Sequence, residues 1–98
     1  DTIVTGKRLG HPVRCLKSPF SRTYAKCEYD ANVSNEELEK LGSGALRLAA
    51  VEGDTKNGCF MAGQSAALVK EEQTAKEIIE DIVYGAEKVL KTSGRWIV

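Results

Sequence analysis

The chain has 98 residues, of which 42% are hydrophobic and 29% charged, an ordinary globular composition that excludes a disordered or fibrous class. Its 14 basic and 14 acidic side chains cancel, which argues against a nucleic-acid-binding module working through a broadly basic surface. It has no run of about 18 apolar residues and hence no expected spanning helix, and Cys15, Cys27 and Cys59 lack the spacing of a metal site or a disulfide framework, which points to a reducing cytoplasm and no membrane.

In chain order, the β-branched run Thr2-Ile3-Val4-Thr5 predicts a short strand, and Gly6, Gly10 and Pro12 break the pattern that follows into a turn. Val13 to Leu16 is too short to separate one helical turn from an extended piece. Between Lys17 and Val33, Pro19, Phe20, Tyr24 and Tyr29 show no clean period, so a short irregular helix is expected only over Ser21 to Cys27. Ser34-Asn35-Glu36-Glu37 has the form of a capping box and predicts a helix bearing Leu38 and Leu41, with a bend at Gly42 and a second helical stretch over Gly44 to Val51. A polar loop, Gly53 to Gly58, comes next. Thr74-Ala75-Lys76-Glu77 repeats the capping box and opens the longest element, whose apolar positions Ile78, Ile79, Ile82, Val83, Ala86, Val89 and Leu90 keep helical spacing. Gly85 interrupts that helix and predicts a close neighbour at its turn.

Among candidate functional residues, the segment around Met61, Gly63 and Gln64 stands out. Gly63 permits close approach of a ligand, Gln64 offers donors and an acceptor, and Met61 supplies an adaptable apolar contact. The competing explanation is that these small residues only let helices pack. His11 is the single histidine and has no partner in sequence that would make it a proton carrier, so no catalytic residue is expected in this chain. Cys59 reads as a small buried hydrophobe. Gly42-Ser43-Gly44 lacks the Lys-Ser/Thr ending of a phosphate loop. The acids Glu77, Glu80, Asp81 and Glu87 read as solvated surface, so no metal site is expected. Lys7, Arg8, Arg14, Lys17, Arg22 and Lys26 face only Asp1 in the first 27 residues, a local cationic excess suited to steering an acidic partner.

The ordered series Asp1-Thr2-Ile3-Val4-Thr5-Gly6, Gly10-His11-Pro12-Val13-Arg14, Leu41-Gly42-Ser43-Gly44-Ala45-Leu46, Val51-Glu52-Gly53-Asp54, Met61-Ala62-Gly63-Gln64 and Glu77 to Ala86 resembles one family from end to end. It is similar to the C-terminal part of enoyl-acyl carrier protein reductase II, a group of FMN-dependent, NAD(P)H-using enzymes of bacterial fatty-acid synthesis related to nitronate monooxygenases. The resemblance implies a mostly α fragment with one short strand, cut from an α/β parent with a (β/α)8 TIM barrel and an added helical domain. Residues 1–12 would then be the strand and exit turn from the barrel, 13–72 a helical substrate-side region, and 73–98 the C-terminal helix and tail. It further implies substrate contacts from Met61, Gly63 and Gln64, and FMN and NAD(P)H held mainly outside this chain. The implied partners are an acyl carrier protein thioester and the rest of the barrel polypeptide, with room for a homodimer. The missing initiator Met and the unpaired opening run fit the same expectation. Oxidation of alkyl nitronates and a free-standing helical binding module are the alternatives.

Overall fold

A computed structural model describes residues 1–97, and the chain divides into two compact units, Asp1–Leu68 and Val69–Val98, which are taken separately. In the first, β1 (Thr2–Thr5) and β2 (Val13–Leu16) form an antiparallel hairpin with Thr2 opposite Leu16 and Thr5 opposite Val13. The sheet therefore has two strands where one was expected. Four residues carry too little period to declare themselves, and pairing with β1 selects the extended state. Gly6 makes the hairpin turn possible: its φ of +83° is left-handed, and a Cβ there would run into the His11 carbonyl, whose own N–H donates to the Gly6 carbonyl at 3.0 Å.

Residues 60–62 add an extended edge beside β2. Cys15 pairs antiparallel with Met61, the Leu16 N–H donates to the Phe60 carbonyl at 2.9 Å, and the Ala62 N–H donates to the Arg14 carbonyl at 3.1 Å.

Helix α1 spans Pro19–Tyr29, longer than the sequence suggested. Its start is a capping box in which Ser18 and Ser21 exchange side-chain and backbone bonds, with Pro19 preset for the first turn. The buried face carries Ser21, Tyr24 and Glu28, at helical spacing but polar, which hides it from a search for apolar periodicity. The Ser34 capping box opens α2 (Asn35–Gly42), which buries Leu38, and α3 (Ala45–Ala50) follows from Gly44. Cys15, Ala45 and Cys59 form the centre of the core, with Ile3 and Phe20 packed against them. A short 3-10 turn over Gln64–Leu68 completes the unit.

The second unit contains α4 (Ala75–Thr92), opened by the Thr74 capping box and followed by a 3-10 turn at Ser93–Trp96. Its apolar stripe, including Ile79, Ile82, Val83, Val89 and Leu90, is exposed. Gly85 meets nothing within 4 Å, so the neighbour expected at that turn is absent among the described residues. No helix among those residues is long and apolar enough to cross a membrane.

Candidate substrate-side site

The end of the extended edge at residue 62 separates the candidate residues. Directly opposed residues of a sheet project to one face and their neighbours to the other. Met61, opposite Cys15, therefore joins Cys59 on the core face and lines an inner cavity of about 160 Å³. Thr5, Gly6, His11 and Val13 of the hairpin, Phe20 and Tyr24 of α1, and Ala45 and Leu46 of α3 contribute its other walls. Gly63 and Gln64 line a different, outer cavity of about 410 Å³ with Thr2, Arg14 and Leu16. The contiguous string read from sequence as one patch thus serves two cavities.

The inner cavity is mostly apolar, with one neutral phenol. Burial raises the Tyr24 pKa above the usual tyrosine value, and the Glu28, Cys59 and Glu39 side chains push it in the same direction, so the hydroxyl remains a proton-bearing donor at neutral pH. The Tyr24 ring lies 5.9 Å from that of Phe20 in a tilted arrangement. Burial, reinforced by the neighbouring Cys15 thiol, pushes the Cys59 thiol up to about 11. A thiol held protonated is a poor nucleophile. Cys59 is therefore expected to resist iodoacetamide at pH 8 in the native protein and to react only on unfolding; native labelling of Cys59 by peptide mass analysis would contradict the packing described.

Two features were not visible in the sequence. Glu28, 5% exposed, accepts hydrogen bonds from the Arg8 N–H at 2.8 Å and the Gly6 N–H at 3.3 Å, clamping the hairpin tip to α1. The Arg8 guanidinium reaches on to the Asp30 and Val33 carbonyls. Arg8 is thus engaged in holding the fold while its charge stays at the surface. The second feature is Arg14, which stands in the outer cavity beside Gln64. His11 reaches the inner cavity from the hairpin tip, and no hydrogen bond to its ring is found among the described residues. Among those residues no group of three or more His, Cys, Asp or Glu side chains gathers to hold a metal ion.

No protein-family model matches the chain, and no curated protein matches it either. Solved structures do. FabK from Thermotoga maritima is 41% identical with a TM-score of 0.85, over 99% of this chain and 30% of that one. Over nearly its whole length, the chain resembles a part of FabK. A methionine-to-alanine mutant of the Thermotoga FabK matches at 37% identity and a TM-score of 0.72, over 99% of this chain and 27% of that one. The chain thus spans about 30% of the length of the FabK structures it matches, and its mostly helical fold with a two-stranded sheet matches a portion of that larger protein.

At about 160 Å³ the inner cavity falls short of the roughly 300 Å³ at which pockets begin to enclose cofactor-sized ligands. It also has no Lys or Arg to meet a phosphate. These residues do not make a flavin mononucleotide site by themselves.

Proposed function

We propose that this chain is the substrate-side part of an enoyl-acyl carrier protein reductase that uses NAD(P)H and FMN to reduce trans-2-enoyl thioesters in bacterial fatty-acid synthesis. The observation that carries the reading is the FabK match at 41% identity over 99% of the chain, joined to an apolar cavity at Met61. FMN and the nicotinamide would be held mainly by the remainder of the full-length polypeptide, a (β/α)8 barrel in this reading. Residues 1–12 would leave that barrel, 13–72 would form the helical substrate side, and 73–98 the terminal helix and tail. Within the segment, Met61 lends the enoyl chain an unbranched, polarizable contact, and the apolar walls exclude water. Gly63 carries no Cβ and has open space around it, so it can lie close to a thioester, while Gln64 offers its amide to a polar atom of the substrate. None of these residues transfers a proton.

The exposed apolar stripe of α4 supports the same reading, since a helix with one apolar face needs a partner to cover it. The remainder of the polypeptide is the proposed cover, in a cytoplasmic enzyme that acts on an acidic acyl carrier protein and admits a homodimer. Paired assays of the full-length protein test the reading. NADH with a crotonyl thioester under anaerobic conditions should yield the butyryl thioester, and an alkyl nitronate in air should give little turnover. Nitronate oxidation without enoyl reduction would move the assignment to the sister activity.

A further inference from the structure

We infer that the outer cavity is a phosphate-ester site with Arg14 as its anchor, an inference that rests on the reductase reading for the identity of its ligand but not for the site itself. Arg14 lies mid-strand in β2, half-buried, with its backbone fixed by pairing to Val4 on one side and to the 60–62 edge on the other. Such a frame holds the guanidinium in one place, unlike a lysine on a loop. One of its donors, on Nη1, is taken by Thr2 Oγ1 at 2.8 Å. A guanidinium has five N–H donors and is always charged. Among the described residues the single ion pair is Lys76 with Glu80, so no carboxylate forms an ion pair with Arg14, although Asp1 also lines the cavity.

A half-buried, permanent cation with donors to spare, lining a cavity, is suited to meeting an anion there. The cavity it lines, about 410 Å³, is large enough for a ligand, and Gly63, Ala66 and Ala67 keep the opposite wall low. Gln64 adds an exposed amide to the same wall. Planar donors suit two oxygens of one phosphate, so the chemistry recognised is a phosphate mono- or diester. Two sources of that group fit the proposed reaction: the phosphopantetheine arm of the acyl thioester and the pyrophosphate of the nicotinamide dinucleotide.

The test uses the full-length flavoprotein as wild type, Arg14→Gln and Arg14→Lys. Inorganic pyrophosphate binding is measured by calorimetry, and KM is measured for NADH, crotonyl-CoA and phosphate-free crotonyl-pantetheine. Arg14→Gln should weaken pyrophosphate binding by about tenfold or more and raise KM for the phosphate-bearing substrate by a similar factor, with Arg14→Lys in between. A rise with crotonyl-CoA but not with crotonyl-pantetheine assigns the phosphate to the carrier arm, and a rise confined to NADH assigns it to the dinucleotide. Pyrophosphate binding that is absent from the wild type, or indifferent to Arg14→Gln, overturns the proposal. So does a loss of stability or of bound flavin with every KM kept, which would make Arg14 a structural residue. A wild type that reduces neither thioester ends the reductase reading, while the pyrophosphate titration still decides the site.

Discussion

Replacing Glu28 with alanine is expected to destabilise the Asp1–Leu68 unit by about 3 kcal/mol, one of the two largest effects available in this chain. The carboxylate is 5% exposed and is the acceptor for two backbone donors, Gly6 N–H and Arg8 N–H, at a turn that has no other way to satisfy them. Truncation takes the acceptor from both amides, the Gly6 N–H in a buried position and the Arg8 N–H in a part-buried one, and an unsatisfied buried group costs roughly 1 to 3 kcal/mol. Glu28→Gln keeps one carbonyl oxygen and should lose about half as much. The loss also propagates: the hairpin tip carries Gly6 and His11 into the wall of the inner cavity. Amide hydrogen exchange at Gly6 and Arg8 should accelerate by about two powers of ten in Glu28→Ala, consistent with that free energy. Exchange within threefold of the wild type would show that the clamp is not what holds the tip.

Gly58→Ala is expected to cost about 3 kcal/mol by the opposite physics, an atom too many. A Cβ at Gly58 would sit 2.5 Å from the Asp54 carbonyl oxygen and 2.9 Å from both the N and Cα of Ala49. All three are backbone atoms, so no side chain can swing aside. Relief requires α3 and the 54–58 loop to part. That movement pulls on the Gly58 N–H bond to the Asp54 carbonyl and on the Cys59 N–H bond to the Ala45 carbonyl, each 2.9 Å. It also disturbs the exposed Asp54 carboxylate, which accepts from Lys56 N–H, Asn57 N–H and Asn57 Nδ2 and is held below its usual pKa by them, the Asn57 side chain foremost. Gly63→Ala is the matched control. Nothing lies within 4 Å of its added Cβ, so stability should stay within about 0.5 kcal/mol. Urea midpoints for the two variants decide the matter, and equal midpoints would contradict the close approach at Gly58.

The sequence was most legible where local chemistry acts alone. Ser34 with Glu37, and Thr74 with Glu77, each close a capping box within four residues, and α2 and α4 begin where those strings place them. The same device at Ser18 went unread because its third helical residue is Ser21 instead of Glu or Gln, and because the face it sets up buries Ser21, Tyr24 and Glu28. No apolar stripe announces a helix whose contacts are hydrogen bonds. Val13 to Leu16 needed its partners, β1 and Met61, before it could be an extended strand. Gly85 resembled a packing glycine and has open space instead, while Gly58, which does touch a neighbouring backbone, resembled an ordinary loop glycine.

The site divides along the same line. Met61, Gly63 and Gln64 were identifiable by residue type, but a linear string cannot show that the chain leaves the extended edge after residue 62 and turns into the 3-10 segment Gln64–Leu68. The pairing of Cys15 with Met61 fixes Met61 on the core face, and the turn that follows carries Gly63 and Gln64 to the outer cavity that holds Arg14. Each face then offers a different chemistry: hydrocarbon contact at one, a cation and an amide at the other.

The claim on which this division rests is that the inner cavity shapes the acyl side of the enzyme, and two-substrate kinetics of the full-length protein carrying Met61→Ala test it most directly. The exposed part of the Met61 side chain is an apolar contact worth about 1 to 2 kcal/mol to a hydrocarbon ligand. The account predicts that kcat/KM for a crotonyl thioester falls about tenfold while KM for NADH is unchanged. A variant that reduces the thioester at the wild-type rate, or whose defect lies in NADH instead, would contradict it.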